Sequence, residues 1–134
     1  MPTTTNTSNG DSRSAAVQHA EQGADSWEAA AGAQRAAVPE HGEFYALAAE
    51  LVATLRHLDA LAEVLSVQVA GYGRVVAAGG RVLRDDEPGH DPAERLAIAS
   101  SWAAQLRHLL GQAERAGNRF WSEGGHIGVE DVTR

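Results

Sequence analysis

The chain has 134 residues, a formal net charge of −7 and no cysteine, a length suited to one ordinary domain. Without thiols, disulfides, thiolate nucleophiles and thiolate metal sites are excluded. The acidic balance, −3, −3 and −1 over residues 1–40, 41–90 and 91–134, argues against nonspecific nucleic-acid binding, which phosphate neutralisation drives.

Residues 1–25 are rich in Thr, Ser, Asn, Gly and Gln with almost nothing to bury, and read as a disordered arm. Residues 26–39 read as a short, even transient, helix and linker, with Ser26 as cap, Trp27 and Ala29–Ala31 following, and Pro39 as stop. Trp27 suits either a docking role or a rest on the protein's own helices.

Helix A is expected over about 42–78, with Glu40 and Glu43 near its positive end. From Phe44 a spacing that alternates four and three runs through Ala48, Leu51, Leu55, Leu58, Ala62, Leu65, Val69, Tyr72, Val76, Gly79 and Leu83. Such a repeat keeps one side of a helix facing a partner helix. A second row at Leu47, Leu61, Val75 and Val82 widens the stripe. Gly71 and Gly73 weaken the second half, and residues 71–83 admit a competing reading as a small β-hairpin; the unbroken heptad favours helix to about Ala78. Gly79–Gly80 provides a C-terminal stop.

Residues 79–91 read as a solvated, charged loop. Helix B, expected over 92–121, opens with Asp91 as cap, Pro92 at the first helical position and Glu94 completing a capping-box pattern. Its heptad is Ala99, Trp102, Leu106, Leu109, Ala113, Ala116 and Phe120, and Gly124–Gly125 is read as its end. Residues 124–134 read as a flexible glycine-rich tail. Its Ile127 and Val129, with Trp121, suit either a recognition peptide or a fold-back over the end of the helices.

The fold class expected is therefore all-α: an antiparallel two-helix hairpin with coiled-coil-like heptads. A turn near residue 85 sets position i opposite about 170 minus i, pairing Leu109 with Leu61 and Ala62, Leu106 with Leu65, and Phe120 with Leu51. Helix A is then the longer, leaving Phe44, Tyr45 and Leu47 overhanging. Although 43% of the chain is apolar, much of this is alanine and only seven residues are aromatic, so two helices alone bury little apolar area. Self-association or binding of another helical protein would complete a bundle. The candidate contact residues are Phe44, Tyr45, Leu47, Trp102, Phe120 and Trp121, with Phe120 in the core and Trp121 at its edge.

Sequence signals for chemistry are sparse. The one Glu-x-x-His, Glu123 to His126, lies beyond the expected helix, and Glu63 and Glu114 fall on the polar side, against a carboxylate-bridged metal centre. His57 and His108 read as boundary residues on the flanks. There is no phosphate-binding glycine loop or nucleophile elbow. Asp85-Asp86-Glu87 reads as a solvated turn. Arg74, Arg81 and Arg84 near the end of helix A suit its dipole, and interleaved acids prevent a basic stripe. No enzyme, cofactor, metal or small-molecule substrate is indicated. No apolar run reaches the roughly 20 residues of a membrane span, and the N-terminus lacks a secretory signal, so the expectation is cytoplasmic, with non-classical export open.

All eleven basic residues are arginine, a composition of GC-rich, actinobacterial type. Over residues 40–122 the architecture resembles that of the WXG100 secretion substrates, which implies a small exported helical hairpin. The turn here lacks their Trp-x-Gly, and neither Tyr45 nor Tyr72 is followed four residues later by an acid. The leading expectation is a non-enzymatic interaction or oligomerisation module, the WXG100-like reading stands second, and a nucleic-acid-associated accessory protein stands third.

Overall fold

A computed structural model describes residues 13–82 and 89–128, and within them the chain is all-helical: α1 (Ala15–Ala36), α2 (His41–Ala77) and α3 (Pro92–His126). Residues 1–12 of the arm, the loop carboxylates Asp85, Asp86 and Glu87, and Val129 of the tail lie outside the described residues.

The chain divides into two compact units, the first holding α1. The arm expected to be disordered through residue 25 is helical from Ala15. Its cause is local. Ser14 Oγ accepts from the Val17 amide at 3.2 Å, the Gln18 side chain bonds to the Arg13 carbonyl at 2.9 Å, Arg13 pairs with Glu21, and Arg35 lies in the last turn. Alanine-rich sequence adds propensity. No residue of α1 is buried, and Trp27 is half-buried.

The second unit holds α2 and α3, which pack together. Residues 71–77, the segment with two readings, are helical. The helix ends where Gly79 adopts φ +93°, the left-handed conformation that favours glycine. The Gly79 amide donates to Val76 O at 3.0 Å and the Gly80 amide to Val75 O at 2.8 Å, a Schellman closure of the orphan carbonyls. A Cβ on Gly80 would overlap Val75, so this stop requires glycine.

Helix α3 opens as its sequence implies, with Asp91 accepting from the Ala93 amide at 3.1 Å, Pro92 in the first turn and Glu94 beside it. Asp91→Ala is expected to cost about 1 kcal/mol, the usual worth of such a cap, read as a lower urea midpoint. The helix then continues to His126 and does not stop at Gly124–Gly125. Close packing explains this. A Cβ on Gly124 would lie 3.1 Å from the Phe44 ring, and one on Gly125 would overlap the Tyr45 ring. These glycines admit the aromatic end of α2, and contact outweighs poor helix propensity.

Contacts between α2 and α3 run in opposite directions. Tyr45 stacks on Trp121, with centroids 5.2 Å apart, and Phe44 meets Phe120 edge-on at 5.6 Å. Val52 and Leu55 lie over Gly117, Arg56 Nε reaches Glu114 Oε2 at 3.1 Å, Arg107 Nε lies 3.9 Å from Asp59, and Gly73 faces Leu96. At 37 and 35 residues the helices are nearly equal. Phe44 and Tyr45 therefore do not overhang: both stand beside the last turns of α3, with Tyr45 half-buried and Phe44 still exposed.

Candidate interaction face

Burial along α2 marks its seam with α3. Ala48, Val52 and Ala62 are buried, and a row of the half-buried residues, Tyr45, Leu55, Asp59, Ser66, Val69, Gly73 and Val76, continues them along the helix. This spacing also alternates three and four, but only the row Ala48, Leu55, Ala62, Val69, Val76 coincides with the expected heptad. The other expected row, Phe44, Leu51, Leu58, Leu65 and Tyr72, is exposed, Leu65 at 53%. Its place is taken by the next residue each time: Tyr45, Val52, Asp59, Ser66 and Gly73.

On α3 the displacement holds for every expected heptad residue but Ala113, which is half-buried. Leu96, Ser100, Ala103, Leu110, Glu114, Gly117, Trp121 and Gly124 are half-buried. The expected heptad residues Ala99, Trp102, Leu106, Leu109, Ala116 and Phe120 are exposed, Trp102 at 69%. Phe120, expected in the core, lies on the flank. Trp121, expected at the edge, is the half-buried partner of Tyr45, and its buried Nε1 has no acceptor among the described residues.

Side-chain size accounts for this seam. Small residues at Ala48, Ala62, Gly73, Ala103 and Gly117 let the backbones approach, whereas facing leucines would hold the helices apart. An amphipathic stripe wider than about 100° also exceeds what one neighbour covers. Each stripe therefore meets its neighbour at one edge.

The uncovered parts of both stripes fall on the same flank. One residue is a rotation of about 100° in an α-helix. The row from Phe44 precedes the α2 seam by one residue, and the row through Leu106 and Phe120 precedes the α3 seam by one residue. In oppositely directed helices equal offsets lie on the same side, as the Phe44–Phe120 contact shows. One step further round lie Leu47, Leu61 and Val75 on α2, and Trp102 and Leu109 on α3.

Between Phe44 and Val75, and between Ala99 and Phe120, these rows contain no charged residue; Thr54 and Gln68 are their polar members. The cations and acids lie elsewhere. Arg56, Glu63, Glu114 and Arg115 are at or beyond the opposite edge of the seam, and Asp59 and Arg107 within it. Shallow concavities of 210 Å³ (His90, Asp91, Glu94, Arg95, Ile98) and 170 Å³ (Ala49, Val52, Ala53, Arg56, Asn118, Trp121) lie off this face.

Of the six candidate contact residues, Phe44, Trp102 and Phe120 lie exposed on the uncharged face, and Leu47 is half-buried in its outer row. Tyr45 and Trp121 are engaged with each other. Sequence reasoning missed Val52 and Gly117, the tight centre of the seam. The available signal was the pair of glycines Gly117 and Gly124, seven apart on one side of α3.

His57 and His108 are exposed, and no group of three or more His, Cys, Asp or Glu able to hold a metal stands together among the described residues. Nor is any described helix long and apolar enough to cross a membrane. Comparison with known proteins finds no matching family model, no matching curated protein and no matching solved structure.

Proposed function

We propose that α2 and α3 form an antiparallel hairpin acting as a non-enzymatic protein-interaction module, with the uncharged face as its docking surface for other helices. One observation carries this reading: large apolar side chains from both helices are exposed together on a flank without charge. Isolated exposed hydrophobes are ordinary, but a contiguous patch larger than a few hundred Å² marks a contact surface. Phe44, Trp102 and Phe120 supply its aromatic anchors, the residue class that dominates interface energetics. The Tyr45–Trp121 stack acts differently, clamping the end of the hairpin so that Phe44 and Phe120 are held side by side.

The absence of native cysteine makes the test direct. Leu58→Cys places a thiol on the face, and Ala60→Cys places one on the exposed outer side of the same helix. In the cells that make the protein, Leu58→Cys is expected to react with a soluble maleimide at least about tenfold more slowly than Ala60→Cys. Equal rates in those cells would refute the interaction reading.

A further inference from the structure

We infer that the occupant of the uncharged face is a second copy of this chain, two hairpins closing face to face into a four-helix bundle. This rests on the interaction reading above and names its partner.

The rows awaiting cover decide how many helices must arrive. A single helix lying between α2 and α3 reaches the inner rows, Leu58 and Leu65 on one side and Leu106 on the other. The outer rows, with Leu61 on α2 and Trp102 and Leu109 on α3, would still face water. Trp102 is the most exposed large hydrophobe of the described chain, at 69%. Covering both outer rows takes two helices side by side, so that each helix gains a second neighbour as in a four-helix bundle. A second copy offers two such helices, of matching length and with the same uncharged rows.

The dimensions agree. At a rise of about 1.5 Å per residue the rows extend roughly 30–45 Å, and two helices are roughly 20 Å wide. The face thus offers roughly 600–900 Å² per copy, against about 800 Å² per partner in a standard stable complex. A two-fold axis makes such an interface isologous, the commonest form of self-association.

Electrostatics permits it as well. Each copy carries −7, and doubling this charge opposes association. Because the rows hold no charge, no acid is buried in the contact. The charges remain on surfaces that face away, where salt screens them over about 8–10 Å.

Light scattering on the full chain across 1–100 μM tests the inference, with circular dichroism on each sample. The expected mass is twice the 14.1 kDa of one chain. Leu58→Glu with Leu109→Glu is expected to weaken the dimer at least about 100-fold, because each copy then buries two unpaired charges. Ala60→Glu with Gln105→Glu, on exposed outer positions, leaves the dimer intact. Should the face variant lose its helices, the wild-type mass still decides.

A helical wild-type monomer at 100 μM would overturn the inference. The Leu58→Cys labelling then separates the remaining cases. Protection in cells but not in the pure protein would assign the face to a foreign helical partner and leave the interaction reading standing. Protection in the pure monomer would mean that another part of the same chain covers the face, and reactivity everywhere would remove both readings.

Discussion

Val52→Asp is expected to abolish the packing of α2 on α3 at any protein concentration, seen as loss of helical circular dichroism in buffer. Val52 is the most buried branched side chain of the described residues, 4% exposed, and its Cγ2 lies 3.2 Å from where a Cβ on Gly117 would stand. A carboxylate there has no water, and the nearest cation, Arg56, already pairs with Glu114. Leaving a buried charge without a partner costs about 3–5 kcal/mol, a large share of the 5–15 kcal/mol by which domains are stable. The neighbouring change Ala53→Asp enters the flank that already carries Arg56, and is expected to cost less than about 1 kcal/mol. Similar losses for both variants would show that Val52 does not occupy the seam.

Gly117→Leu and Gly111→Ala are expected to move stability in opposite directions. At Gly117 a Cβ would already lie 3.2 Å from Val52 Cγ2 and 3.4 Å from Leu55 Cδ1. A leucine there needs further room that exists only if the helices separate, and overpacking of this kind costs about 1–3 kcal/mol. At Gly111 the nearest atom to a new Cβ is a nitrogen of the Arg115 guanidinium, 3.7 Å away. Alanine therefore brings its helix propensity without a clash, a gain of about 0.5–1 kcal/mol. Urea midpoints measured side by side decide the matter. A neutral Gly117→Leu would mean that the helices are not in close contact there.

Much of the secondary structure was legible because its causes are local. Asp91-Pro92 opens α3 and Gly79–Gly80 closes α2 through hydrogen bonds made within a turn or two, and residue type alone announces them. Local causes also form α1, through Ser14 and its alanines, but the polar composition of residues 1–25 concealed them. Gly124–Gly125 misled for the opposite reason. Glycine pairs stop helices in isolation, whereas here the rings of Phe44 and Tyr45 occupy the space beside them.

Residue order alone sets out two long helices with wide apolar stripes, uninterrupted by charge, and with more apolar surface than one neighbour can cover. Periodicity reports the direction in which a helix is apolar, and that direction follows from residue order. The tertiary structure alone decided which edge of each stripe meets the other helix. Close approach selected Ala48, Val52 and Ala62 over the leucines one position away, and set Gly117 against Val52 and Leu55, because packing responds to the shapes of two surfaces together. The row Phe44, Leu51, Leu58, Leu65 and Tyr72 on α2, with Trp102, Leu106, Leu109 and Phe120 on α3, therefore faces outward, and the seam keeps the other row of the α2 heptad.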